Sequence, residues 1–325
     1  MTEYCLILDR RYVAYSYCLY KSIHRNIESA SVKFYCMDES VPWILKKLGI
    51  PQKEIVKREE FIPPSVIKIE NEYAHNEFCW RCKPLAVSHS LKHADSGEWV
   101  FYLDSDMFVF ANIEECIELD NNWSVILTAH RFSKKFAKYR EVSGQFNAGF
   151  VGFRNDQKGL EALKWWEQRC AESCSAIPTS DTYADQKYLE VMYHKFGYVG
   201  SIGHSGLNAA PWNIQNYNVT GSYNDIIKLN EDRLLLYHFQ GMRFIYSNVC
   251  EVYSQELKMN MNVKNLIYEP YLIEIKESYN HLRGCLPGYK GNLPEGYHRG
   301  REIYKSVRQL IKGKSNLMYV FRGKI

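Results

Sequence analysis

Two carboxylates one residue apart close an apolar run in Phe101-Tyr-Leu-Asp104-Ser105-Asp106-Met-Phe-Val-Phe110. Burying two negative charges beside hydrophobic side chains is costly unless positive charge meets them. A hard divalent cation meets them well. Mn²⁺ and Mg²⁺ take one or two carboxylates and leave their other positions to phosphates or water. The alternative is a solvated Asp turn between two strands. The apolar flanks and the position at a strand end favour the metal, because ligands of open α/β sheets bind beyond the carboxyl ends of the strands.

Other segments offer partners for that chemistry. Asp9-Arg10-Arg11-Tyr12 ends the first apolar run, with an acid able to accept from the N–H groups of a nucleobase and a ring to stack on it; an Asp9 helix cap is the plainer reading. Gln145-Phe-Asn147-Ala148-Gly149-Phe-Val-Gly152 places small residues where a strand must approach a ligand, and the Asn147 amide both donates and accepts, as sugar hydroxyls require. Asp185-Gln186 reads as the opening of a helix and as polar groups for a reacting sugar. His238, in Tyr237-His238-Phe-Gln-Gly241-Met-Arg243, is a third metal ligand by the company of Asp104 and Asp106, and Arg243 a partner for a diphosphate. Cys79-x-x-Cys82 and Cys170-x-x-x-Cys174 have spacings that zinc accepts, yet no turn-rich knuckle surrounds them, and buried thiols are the reading preferred here.

These groups need a scaffold. Tyr4–Asp9, Val32–Met37 and Trp99–Leu103 read as buried strands, with helices over Tyr12–Ile27, from Pro42 to Gly49, and over Arg81–His93 between them. That β-α-β-α-β order predicts an α/β fold with a mainly parallel sheet covered on both faces. Ser124–Thr128, Phe146–Phe153 and Leu234–Tyr237 read as further strands, Gln157–Glu172 and Tyr183–Lys195 as helices. At 325 residues, with 46% hydrophobic and 24% charged residues, the chain is long enough for a large core and is neither disordered nor a disulfide miniature. The N-terminus lacks the basic region of a signal peptide, and no apolar run reaches the length of a membrane span, so a cytoplasmic location with reduced thiols is expected.

In this order the motifs resemble nucleotide-sugar-dependent glycosyltransferases of the GT-A fold, most closely family 8, which includes glycogenin and the lipopolysaccharide galactosyltransferases. The likeness spans roughly residues 4–245. It implies a metal-dependent hexosyltransferase with a Rossmann-like, mixed, mainly parallel sheet at 1–250 and a C-terminal extension at 251–325. It implies Mn²⁺ or Mg²⁺ on Asp104, Asp106 and His238. Nucleotide contacts would come from Asp9, Tyr12, Lys83, Asp104, Ser105, Gly241 and Arg243. Asn147, Ala148, Gly149, Asn208 and Trp212 would meet the donor and acceptor sugars, and Asp185 and Gln186 would be catalytic. Where the family has a lysine after His-x-x-Gly, this chain has Met242-Arg243-Phe244, and Arg243 takes over the phosphate role. The expected partners are a nucleoside-diphosphate sugar, UDP-linked by preference, and a glycan or lipid-linked acceptor in surface polysaccharide or lipopolysaccharide biosynthesis. Retention of configuration is expected, with Gln186 or Asp185 on the reacting face; an inverting transferase or a nucleotide-sugar hydrolase is the alternative.

The net charge of +4 hides a division. From His281 onward there are ten Lys/Arg against two Glu, leaving 31 basic and 35 acidic residues before it. Glu302–Lys312 reads as a cationic amphipathic helix that either packs on the body or contacts anionic lipid as a peripheral membrane element. The acidic body and the absence of any reader motif exclude nucleic acid. A pyrophosphorylase would need a Gly-rich loop where Asp9-Arg-Arg-Tyr12 stands, and a non-catalytic carbohydrate-binding module would not need Asp-x-Asp at a strand end.

Overall fold

The computed structural model describes residues 2–117, 122–223, 225–246, 249–253, 259–291, 308 and 316–319. In chain order the strands are β1 (Glu3–Leu8), β2 (Ser31–Cys36), β3 (Ile55–Val56), β4 (Trp99–Leu103), β5 (Met107–Val109), β6 (Val125–Ala129), β7 (Phe146–Arg154), β8 (Val199–Ser201), β9 (Val219–Gly221), β10 (Ile227–Leu229), β11 (Asp232–Arg233), β12 (Leu236–His238), β13 (Arg243–Tyr246), β14 (Val249–Glu251) and β15 (Leu317–Tyr319). The helices are α1 (Val13–Asn26), α2 (Ser40–Lys47), α3 (Arg58–Phe61), α4 (Pro64–Ile67), α5 (His75–Leu91), α6 (Arg140–Ser143), α7 (Gln157–Glu172), α8 (Lys187–Lys195), α9 (Met261–Val263) and α10 (Glu269–Cys285).

The expected sheet is present. Seven strands lie in the order β3-β2-β1-β4-β7-β6-β8, and β7 alone runs against the rest. Tyr4 through Leu8 are all buried, as a central strand covered on both faces requires. One core packs α1 and α2 against Leu6, Leu8, Phe34 and Leu103; the other packs α5, α7 and α8 against Cys5, Tyr102 and Val151. Strand β7 lies flush against its neighbours, since a Cβ on Gly152 would come within 2.2 Å of the Phe101 ring.

Two helix starts differ from expectation in ways that matter for the site. Helix α5 starts at His75 rather than Arg81 and runs through Pro84. Its first turn is held by Glu77, whose carboxylate accepts from the Ala74 N–H at 3.2 Å and, on its other oxygen, from Ser175 Oγ and the Ala176 N–H. Helix α8 begins at Lys187, so Tyr183–Gln186 is a turn and not helix. Ala184 there has φ +50°, a left-handed backbone that a helix excludes.

Residues 259–289 do not stand apart from the α/β body. Tyr271 of α10 stacks on Phe239 at 3.7 Å, and it shares a buried cluster with Tyr15, Phe108 and Tyr237. Glu274 of the same helix pairs with Lys21 and Arg25 of α1. The predicted amphipathic helix Glu302–Lys312 falls, apart from Arg308, outside the described residues. No helix among the described residues is long and apolar enough to cross a membrane. The stacked cluster predicts that Tyr271→Ala costs about 3–5 kcal/mol in urea unfolding. Tyr271→Phe should be neutral or stabilising, because the buried hydroxyl has no hydrogen-bond partner.

Candidate active site

A cavity of about 440 Å³ opens beyond the carboxyl ends of β1 and β4. The chain leaves β4 through Asp104-Ser105-Asp106 and re-enters β5 at Met107. The Asp104 N–H extends the β4/β7 ladder by donating to the Gly149 carbonyl at 2.9 Å. Strand β12 pairs antiparallel with β5, His238 opposite Met107, and the Phe239 N–H donates to the Asp106 carbonyl at 2.8 Å. A two-strand ladder thus delivers a histidine from 132 residues away beside the Asp-x-Asp turn.

The His238 Nε2 lies 3.1 Å from Asp106 Oδ1 and 3.8 Å from Asp104 Oδ2. One ligand atom from each of these residues falls within 4.8 Å of the others, the only such group of three among the described residues. Two carboxylate oxygens and an imidazole nitrogen facing a polar cavity fit Mn²⁺ well and Mg²⁺ acceptably. Gly149 keeps this space clear: a Cβ there would come within 2.8 Å of both Asp104 Oδ2 and His238 Cε1. The cysteine pairs form no comparable group among the described residues, and all ten thiols are free.

Beside this cluster sits a buried ammonium. Lys83 Nζ lies 3.0 Å from Asp104 Oδ1 and 3.1 Å from Asp185 Oδ2, and 4.8 Å from the centre of the Tyr102 ring. Tyr102 also donates to Asp104 Oδ1 at 2.9 Å. Burial opposes the charged form of each group, and the balance differs. Burial pushes Asp104 up, but Lys83 and His238 outweigh it and hold its pKa below the usual carboxylate range. For Asp185 burial wins, with repulsion from Asp104, and its pKa is raised despite Lys83. Burial pulls Lys83 down, but the two carboxylates carry it above its ordinary value. Asp185 is set in place by Ala184 and by Trp166, which donates to its main-chain carbonyl at 2.9 Å.

The Asn147 amide lies between Gln186 at 3.5 Å and His130 at 3.4 Å, and Asn208 donates to its oxygen at 3.2 Å. Trp212 donates to the His130 carbonyl at 2.9 Å and meets the His238 ring edge-on at 5.3 Å. Ser105 donates to the Ile7 carbonyl at 2.9 Å, fastening the turn to β1.

At the other end, the Asp9 carboxylate is already filled. Oδ1 accepts from the Arg11 and Tyr12 main-chain N–H groups; Oδ2 accepts from the Arg11 guanidinium and from His75 Nε2 at 2.8 Å. Burial pushes the Asp9 pKa up, but hydrogen bonds from His75 and Arg11 prevail and lower it. The Asp9 hydrogen bond raises His75 to about 10. Arg11, His75 and Tyr12 therefore face the cavity as donors and ring, and Asp9 acts by holding the first two.

The structure brings together Asp9, Tyr12, Lys83, Asp104, Ser105, Asp106, Asn147, Ala148, Gly149, Asp185, Gln186 and His238 around one cavity. Asn208 and Trp212 stand behind it. Gly241 turns the chain after β12 with φ +79°, and Arg243 pairs with Glu251 on β14 outside the lining. Sequence reasoning missed His75, Trp80, Tyr183 and Gln240, which also line the cavity. The signal for His75 and Trp80 is the helix cap at Ala74–Glu77, which precedes the expected start at Arg81.

The charge cluster predicts that Lys83→Met loses about 3–5 kcal/mol of stability near pH 7, where the buried Asp185 and the partly exposed Asp104 lose their cation. Without the ammonium their folded-state pKa values rise above the unfolded ones. The native state then binds more protons, so stability relative to wild type should partly recover as pH falls toward 5. Urea unfolding at both pH values checks this; a pH-independent deficit would contradict it.

No family model matches the chain. It is 28% identical over 299 residues to uncharacterized protein YfnD of Bacillus subtilis (strain 168), covering 90% of this chain and 95% of that protein. It is 26% identical over 296 residues to uncharacterized protein YfnF of the same organism, covering 89% and 97%. Among solved structures it is similar to the galactosyltransferase LgtC in complex with donor and acceptor sugar analogs, at 17% identity and a TM-score of 0.54, over 87% of this chain and 100% of that one. The sheet order, the helices on both faces and this likeness together show that the chain has the GT-A fold.

Proposed function

We propose that this protein transfers a sugar from a nucleoside-diphosphate donor, UDP-linked by preference, to a hydroxyl of a glycan acceptor. One observation carries the reading. Asp104, Asp106 and His238 converge in a cavity that Lys83, Asn147, Asp185 and Gln186 also line. The same fold in LgtC holds donor and acceptor sugar analogs, which supports the reading.

A Mn²⁺ or Mg²⁺ on the three ligands would supply Lewis acidity for the departing diphosphate. The chain's own groups do the rest. Tyr12 offers a ring for the base at the β1 end, and Arg11 and His75 offer N–H donors to its carbonyl edge. Lys83 fixes the distance between Asp104 and Asp185, so that the Asp104–Asp106–His238 cluster and the Asp185–Gln186 turn keep one spacing. Gln186 presents an amide that orients sugar hydroxyls, and Asn147 holds that amide in place. Trp80 and Tyr183 narrow the cavity and limit the water that would hydrolyse the donor. Asp185 and Gln186 lie at the reacting face, consistent with the retaining chemistry that the family resemblance implies. The acceptor we infer is a surface or lipid-linked glycan reached from the cytoplasmic side of a membrane, since the basic C-terminal segment suits an anionic surface.

The test is release of nucleoside diphosphate from a panel of sugar nucleotides, with and without oligosaccharide acceptors. Turnover should require Mn²⁺ or Mg²⁺, vanish with chelator and rise with acceptor. Asp106→Asn should lower kcat roughly 100-fold or more while the protein stays folded. Metal-independent turnover, or none with any sugar nucleotide, would refute the proposal; turnover that ignores acceptors would assign a hydrolase.

A further inference from the structure

Two main-chain groups fix the sense of every hydrogen bond in a buried chain that ends at Gln186. The Gly144 carbonyl can only accept, so the His130 Nδ1, 3.1 Å away, must carry a proton. The His130 ring is buried, stacked on Phe132 at 4.5 Å and edge-on to Trp212 at 5.6 Å. Burial drives its pKa down to about 3, and the ring is neutral. Its Nε2 is therefore an acceptor, and the Asn147 group facing it at 3.4 Å must be the amino group. The opposite end agrees. The Gly149 N–H can only donate, and the Asn147 atom it meets at 3.1 Å must be the oxygen, which also accepts from Asn208 Nδ2 at 3.2 Å. The second N–H of Asn147 then points at Gln186 Oε1 at 3.5 Å. Gln186 turns its oxygen inward and leaves its amino group to the cavity that it lines.

We propose that this relay makes Gln186 a hydrogen-bond donor to the oxygens of the bound sugar nucleotide, with His130 as the positioning residue that sets its polarity through Asn147. The inference rests on the transfer reading and narrows it. The face beside Gln186 receives N–H groups that strengthen as negative charge develops on the leaving oxygen, and it receives no lone pair from this amide. A nucleophile or base for the reaction must come from another group.

Two measurements test it. Long-range ¹H–¹⁵N correlation of histidine side chains on the resting protein should show His130 as the Nδ1–H tautomer, unchanged from about pH 5.5 to about pH 8. The Nε2–H tautomer, or an imidazolium in that range, overturns the relay whatever the activity. In turnover assays His130→Leu should lower kcat about tenfold with KM for the sugar nucleotide nearly constant. His130→Gln, which restores an acceptor, should recover most of it. Gln186→Glu, which keeps an inward oxygen and cannot donate, should fall at least as far as His130→Leu. Wild-type kcat in His130→Leu or in Gln186→Glu overturns the proposal. Absence of wild-type turnover refutes the transfer reading instead, and the tautomer then decides the relay alone.

Discussion

The site is organised around one buried ammonium. Lys83 bridges Asp104, which belongs to the Asp104–Asp106–His238 cluster, and Asp185, which belongs to the turn before α8. The two carboxylates come from segments 81 residues apart and would repel each other in a low-dielectric interior without a cation between them. Three elements therefore have to arrive together: the β4 end, the middle of α5 and the Ala184–Asp185 turn. Glu77 ties the first turn of α5 to Ser175 and Ala176, so the helix that supplies the lysine also holds the segment that leads to its second carboxylate. The remaining negative charge, on Asp106, faces His238 and the cavity.

Hydrogen-bond polarity is the second constraint. Carboxylates and ammonium ions have no ambiguity of sense, but amides and imidazoles do. Here the ambiguity is removed by main-chain groups at Gly144 and Gly149, which are themselves fixed by a helix end and a sheet ladder. The result is a set of oriented dipoles beside a cluster of charges at one cavity. Such preorganisation is the part of catalysis that a fold can supply before any substrate arrives.

The central strands and the Asp-x-Asp turn were legible because each is written in consecutive residues: an apolar run that closes on two acids is a buried strand whose end needs positive charge. His238 was legible by its position after an apolar strand, once Asp104 and Asp106 had created a need for a third ligand. His75 and Trp80 were hidden because the expected helix opens only at Arg81, whereas α5 begins at His75 and places both on its first turns. Asp185 was legible as a polar residue in the right place, but not as the partner of Lys83, since the left-handed Ala184 that turns it inward has no sequence mark. His130 carried no signal at all: its role comes from contacts with residues 14 and 17 positions later and from burial. Arg243 shows the opposite failure, a residue with apt chemistry whose nearest acid, Glu251, lies across a hairpin. The C-terminal extension was read as an appendage from its charge, while the described part of it, through Tyr271 and Glu274, completes the core beside α1.

If Asp104, Asp106 and His238 hold a nucleoside diphosphate only through a divalent cation, calorimetric titration of UDP into the protein should show saturable binding with Mn²⁺ and none measurable once chelator is added. Equal affinity in the two conditions would contradict it.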